Sequence, residues 1–159
     1  MPMPLMPGRA TELRFEEPVA FRRFSQSLVE TALVTGVLLR LYRAVVLTHA
    51  SGGWAYWVFA AGVGTVILCA MVTAHLANFP IRRWLWRAPV FAALAVAAEM
   101  ATSLLLIAAG REPVGSVRAD WSNWPSMAAN TLLYRGLAIC AWAALLALAV
   151  TIAKRMMRR

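Results

Sequence analysis

The stretch PVFAALAVAAEMATSLLLIAAG, residues 89–110, decides the fold class of this chain. It is long enough to cross a lipid bilayer as one helix, which takes about 20 residues. Glu99, near its centre, is its only charged residue. The whole chain is 61% hydrophobic and 14% charged, whereas a soluble domain carries about a quarter charged residues. So much apolar surface requires a lipid solvent.

Three other apolar runs have a similar length, and the predicted spans are residues 28–50, 54–77, 89–110 and 126–153. The first span is the least apolar, because it carries Glu30, Arg40 and Arg43. The sequence therefore predicts an all-α integral membrane protein whose four transmembrane helices form an antiparallel bundle.

The basic residues predict the orientation. Eleven of the 16 lie in the N-terminal segment, the second connector or the C-terminal tail, and two lie in the first and third connectors. By the positive-inside rule both termini are cytoplasmic. The formal charge of +9 is thus explained by membrane topology, without a nucleic-acid partner. Because nearly all the basic residues are arginine and alanine is abundant, we infer a GC-rich bacterial genome and a cytoplasmic (inner) membrane.

Tryptophan placement agrees with this topology, since indole rings favour the headgroup level of a bilayer. Six tryptophans are predicted to act as interface anchors. They are Trp54, Trp57, Trp121 and Trp124 at the outer ends of the spans, and Trp84 and Trp86 in the inner connector.

Both ends of the chain differ from the spans. Residues 1–17 are rich in Pro and Met, which predicts a disordered cytoplasmic arm. In residues 18–27, Phe21 and Phe24 continue to Leu28 at helical spacing, which indicates a short interfacial helix; an extension of the first span is the alternative. Residues 154–159 are predicted to be a basic cytoplasmic tail.

Three charged residues fall at one depth near the bilayer centre. Glu99, Arg135 and Arg40 each lie roughly 15–16 Å from the outer end of their helix. We expect an ion pair between Glu99 and Arg135, with Arg40 close enough to share the carboxylate. Arg40 could instead snorkel, or pair with an acid on another chain or with a lipid phosphate. The supporting polar residues are Thr102, Ser103, Thr131 and Asn130.

A single carboxylate without a chain of other titratable groups favours a structural role for this cluster over a proton or ion path. His49 and His75 lie near opposite ends of their spans, so they could not bind one haem together. Each is interpreted as an interfacial, hydrogen-bonded histidine, and ligation of a haem or chlorophyll-type pigment is the minor alternative. No metal site, no cofactor and no catalytic group is predicted.

Small residues recur at four-residue spacing in the third span, at Ala93, Ala97 and Ala101, and in the fourth, at Gly136, Cys140 and Ala144. Such spacing lets membrane helices approach closely.

The connectors are short, and we expect a non-catalytic accessory or structural subunit that packs against a larger inner-membrane complex. Its partners would be lipids and other integral membrane subunits. A small oligomeric transporter that uses the Glu–Arg pair is the alternative, and a haem- or pigment-binding subunit is the second alternative.

Overall fold

The computed structural model describes residues 19–49, 53–111, 122 and 124–157. It is 91% helical, and the described part contains no strand. The helices are α1 (Val19–Gln26), α2 (Leu28–Thr48), α3 (Trp54–Leu76), a short 3-10 helix (Ile81–Arg83), α4 (Trp84–Ala108) and α5 (Trp124–Met156). The predicted arm, residues 1–17, and Trp121 lie outside the described residues.

The four longer helices, α2 to α5, are each long and apolar enough to cross a membrane, and α4 does so together with the 3-10 turn before it. The chain is therefore a multi-pass membrane protein built as a helical bundle. The helices agree with the predicted spans except at two ends. Helix α4 begins at Trp84, before the predicted start at Pro89, because this proline removes only one hydrogen bond near the helix start. Helix α5 continues to Met156 through Lys154 and Arg155, which favour helix and complement its C-terminal dipole.

The chain bends between α1 and α2 at Ser27. This residue has an extended backbone, and its Oγ accepts a hydrogen bond from the Glu30 amide, 3.3 Å away, as the N-cap of α2. Ser27 therefore divides α1 from α2.

Helix α4 lies at the centre of the bundle. Ten of its residues are buried, and it packs against α2, α3 and α5. Among the described residues of α5, only Ile139 and Ala143 are buried. The apolar core of the described chain lies mainly in the half of the bundle that contains the start of α4, around Leu76, Trp84 and Phe91.

The contact between α2 and α4 depends on Gly36. A Cβ built on this glycine would collide with the backbone oxygen of Ala95 and lie 2.8 Å from Ala98 Cβ and 2.9 Å from the Glu99 nitrogen. Such spacings are shorter than real side chains adopt, so the two helices can cross here only because residue 36 has no side chain. Gly36 was not among the residues predicted from the sequence to matter for helix packing.

Candidate functional site: an intramembrane charge cluster

The crossing at Gly36 brings a charged group of α4 into the interior. Glu99 is 1% exposed, and its Oε2 lies 3.4 Å from Nε of Arg135 on α5. The predicted pairing is therefore present as a contact between neighbouring helices. In a low-dielectric medium an opposite charge offsets much of the cost of burying each partner.

Arg40 is the third member of the cluster. It follows Gly36 by one helical turn on α2 and is completely buried, and it interacts with other groups of the molecule. Its side chain therefore does not reach the molecular surface of this chain, in contrast to the alternative in which it snorkels. The tight crossing at Gly36, one turn earlier, places this side chain inside the bundle.

The four polar residues expected to support the cluster behave differently from one another. Thr102 Oγ1 donates to the Ala98 carbonyl of its own helix, 2.8 Å away. Ser103 is fully buried, and its hydroxyl has no hydrogen-bond partner among the described residues. Thr131 is partly buried and has a polar or electrostatic partner, whereas Asn130 is exposed on α5. Asn130 therefore lies apart from the buried cluster.

The pair can fix α4 and α5 relative to each other, because each helix contributes one charged side chain to it, and the buried Arg40 lies on the neighbouring α2. Removing one partner of such a group would leave an uncompensated charge in the interior. Of the described acidic residues, only Glu99 lies within the bundle at this level, since Glu30 is exposed near the start of α2. The Glu99–Arg135 contact therefore links α4 to α5.

A second polar cluster, which sequence reasoning missed, lies at the other end of the bundle and joins α1, α3 and α4. His75 is completely buried, with Nδ1 3.0 Å from the Ser25 carbonyl and Nε2 3.2 Å from NH1 of Arg87. Asn78 donates from Nδ2 to Ser25 Oγ, 3.1 Å away, and so forms a second hydrogen bond to the same residue of α1. The Arg87 guanidinium stacks on the Phe79 ring at 3.5 Å.

These contacts define the protonation state of His75. A guanidinium can only donate, so Nε2 accepts from Arg87, and a carbonyl can only accept, so Nδ1 carries the proton. His75 is therefore neutral, and both of its ring nitrogens are occupied. A haem or pigment could reach Nε2 only by displacing Arg87. His75 is hydrogen-bonded as expected, and it is also buried within the protein, because α1 and the start of α4 cover it.

His49, in contrast, is exposed at the end of α2. Its Nδ1 lies 2.9 Å from the Val45 carbonyl and 3.1 Å from Thr48 Oγ1, both in its own helix. It is hydrogen-bonded as the sequence analysis expected.

The predicted interface anchors divide into two groups. Trp54, Trp57 and Trp86 are exposed, and Trp124 is partly buried. Trp84 was wrongly interpreted as an anchor, because it is 8% exposed and donates from Nε1 to the Phe79 carbonyl, 2.9 Å away. Because α4 begins at Trp84, the indole ring of this residue lies in the core.

Two kinds of cavity adjoin the bundle. One, of about 350 Å³, lies between α2, α3 and α5, and Arg43 and Arg135 contribute to its lining. Two others, of about 340 and 440 Å³, lie along the line where α4 meets α5 and are mostly apolar. Two tyrosine hydroxyls connect the α2 and α3 walls of the cavity between α2, α3 and α5. Tyr42 of α2 donates to the Ala60 carbonyl, 2.8 Å away, and Tyr56 of α3 donates to the Val46 carbonyl, 2.9 Å away.

The described part of the chain contains no group of three His, Cys, Asp or Glu side chains that could hold a metal ion. In the comparisons with known proteins, no family model, no curated protein and no solved structure matches this chain.

Proposed function

We propose that this chain is a non-catalytic accessory subunit that packs against a larger bacterial inner-membrane complex and stabilises it. The observation that carries the proposal is a crevice between α4 and α5, defined here by the residues that line the two apolar cavities. The crevice runs over most of the length of α4, from Trp84 to Leu104.

The crevice is lined mainly by small side chains. Ala93, Ala97 and Ala101 of α4 are exposed along it, and Cys140 and Ala144 of α5 are exposed on its other wall. Since these residues repeat at four-residue spacing, they form one continuous face on each helix. Small residues allow the backbone of another transmembrane helix to approach closely, which is how membrane helices associate through van der Waals contact. The crevice thus fits a helix of a partner subunit.

The proposed topology is an antiparallel bundle with both termini in the cytoplasm, and α1 lies at the inner membrane interface. Exposed basic residues support this orientation, because they gather at the end of the bundle where α1, the 3-10 helix and the end of α5 lie. They are Arg22, Arg23, Arg82, Arg83, Lys154 and Arg155. Phe21 is also exposed, as expected for a side chain that enters the headgroup region.

The charge cluster supports the same function, because its three charged residues join helices of this chain and are largely enclosed. Such a tie would hold α4 and α5 at a defined separation and so preserve the crevice between them. Transport through the Glu99–Arg135 pair remains the alternative function, and a haem- or pigment-binding subunit remains the second.

The test is photo-crosslinking in native membranes, with a photoreactive residue placed at Ala97 or Ala144 in the crevice. A control probe replaces Val66, which is 68% exposed on α3 and lies outside the crevice. We expect the crevice probes, and not the control, to form a crosslink to one integral membrane protein that also co-purifies in mild detergent. A lone monomer, without any crosslink from either crevice position, would contradict the proposal.

A further inference from the structure

The cavity between α2, α3 and α5 has features that the proposed function does not use. It has a volume of about 350 Å³ and is open at the molecular surface. This volume lies within the range of about 300–1,000 Å³ that is typical of small-molecule sites. Its walls combine two arginines with aromatic and aliphatic side chains, whereas the crevice between α4 and α5 is almost wholly apolar.

The two arginines occupy different depths of this cavity. Arg135 is paired with Glu99 through Nε, and yet its side chain is 27% exposed and lines the cavity. Arg43 is exposed on α2, six residues before His49, so it lies roughly 9 Å from the end of its helix. A guanidinium presents several donors in a planar fork that matches carboxylate and phosphate oxygens.

The net charge of the bundle around this cavity also favours an anionic ligand. Within the long helices, the half nearer the α2–α3 connection carries three arginines and one acidic residue. The arginines are Arg40, Arg43 and Arg135, and the acid is Glu99. Whatever the individual pairings are, a formal excess of two positive charges remains. In a membrane this excess favours an anionic ligand.

The cavity walls are also held in place before any ligand enters. The hydroxyl of Tyr42 donates to the Ala60 carbonyl, and that of Tyr56 donates to the Val46 carbonyl, so α2 and α3 are tied in both directions. A Cβ on Gly64 would already lie 3.3 Å from the Tyr42 ring, which shows how closely this ring fits against α3. Preformed walls reduce the entropy lost on binding.

We infer that this cavity binds an anionic amphiphile, with its carboxylate or phosphate held by Arg43 and Arg135 and its apolar part against α2 and α3. Trp57 lines the cavity near the start of α3, and Thr65 lies eight residues, roughly 12 Å, further along that helix. A ligand of this kind could be a free organic acid or a phospholipid with an acidic headgroup. The inference is independent of the accessory role.

The test uses purified full-length protein and two probes. Dodecanoate is titrated by calorimetry in a neutral detergent, with dodecanol as the uncharged ligand of equal length. Nanodiscs of phosphatidylcholine, with or without phosphatidylglycerol, are then analysed by native mass spectrometry for retained lipid. Binding of dodecanoate alone identifies a free organic acid, retention of phosphatidylglycerol alone identifies a lipid headgroup, and both outcomes support the inference.

Two substitutions test the site by different means. Arg43→Gln removes one charge while keeping both Glu99 and Arg135, and Ala61→Phe fills the cavity from an exposed position on α3 while keeping every charge. We expect each to weaken binding about tenfold, as loss of one charged hydrogen bond or of the space itself should. The matched controls are Arg83→Gln, exposed at the opposite end, and Val66→Phe, exposed outside the cavity.

The inference is overturned if neither probe binds in preference to its neutral counterpart. It is also overturned if Arg43→Gln and Ala61→Phe bind the probes as tightly as the unmodified chain. Because the two variants act through charge and through volume, a folding defect in one does not prevent the other from giving a result.

Discussion

Gly36 on α2 lies against the backbone of Glu99 on α4: a Cβ on residue 36 would lie 2.9 Å from the Glu99 nitrogen. The glycine therefore determines how near the buried carboxylate comes to α2 and to Arg40 one turn further along. Backbone packing and charge placement are thus coupled at one point in the bundle.

The first prediction concerns this crossing. Gly36→Ala should lower the free energy of unfolding by about 1–3 kcal/mol, because overpacking forces the helices apart. Thermal unfolding in detergent measures the effect. The matched control is Gly62→Ala on α3, where an added Cβ meets nothing within 4 Å. Because alanine favours helix more than glycine does, the control should leave stability unchanged or raise it slightly. Equal behaviour of the two variants would show that α2 and α4 do not cross here.

The second prediction concerns the ion pair. Glu99→Gln should destabilise the protein by roughly 2 kcal/mol, since Arg135 loses the carboxylate that it contacts. The measurement is denaturant-induced unfolding in detergent micelles, together with the yield in the membrane. Glu30→Gln makes the same chemical change at an exposed position and should cost less than 1 kcal/mol, as loss of an acid near a helix start does.

A double substitution separates the pair from its members. If Glu99 and Arg135 interact, Glu99→Gln combined with Arg135→Gln should cost less than the sum of the two single changes. Strict additivity, or unchanged stability of Glu99→Gln, would argue against the pairing.

The third prediction concerns the attachment of α1. His75→Ala should loosen this helix, because the histidine connects the Ser25 carbonyl to Arg87. We expect the backbone amides of residues 20–26 to exchange hydrogen at least about tenfold faster, since local opening then needs less free energy. Hydrogen-exchange mass spectrometry measures this. His49→Ala is the control, because His49 bonds to Val45 and Thr48 of its own helix and should leave α1 unaffected.

The fourth prediction concerns the end of α4. Gly110 has a φ of 62°, and its amide and that of Arg111 bond to the Ile107 and Leu106 carbonyls, closing the helix with a Schellman motif. Gly110→Ala should therefore cost about 1 kcal/mol, and Gly110→Asn should cost less, because Asn tolerates this conformation better. Thermal unfolding provides the comparison. Gly53→Ala, at a glycine with negative φ and open space around it, should be close to neutral.

Much of the fold could be predicted because the membrane imposes it. A bilayer requires long apolar helices, and this requirement is visible in the sequence as four runs whose bounds agree with the helices apart from the start of α4 and the end of α5. The Glu99–Arg135 contact could be predicted for a related reason. The helical rise per residue gives the depth of each side chain in the membrane, and these two opposite charges lie at the same depth on neighbouring helices.

The second polar cluster could not be found in this way. Arg87 resembles the other arginines of its connector, and only the early start of α4 carries it back beside His75. Asn78, close to His75 and at a helix end, was the one local signal of a polar contact there. Trp84 was misassigned for the same reason, since a helix start cannot be placed within a few residues from composition alone.

The sequence by itself determined that the chain crosses a membrane four times and where along each helix the charges lie, because these properties depend on hydropathy and length. The tertiary structure decided which faces of the helices meet: that Arg40 is enclosed, that His75 is neutral between a carbonyl and a guanidinium, and that α4 is central. Lipid is as apolar as the side chains of the bundle, so hydropathy cannot select an interface. Close packing at a residue such as Gly36 does.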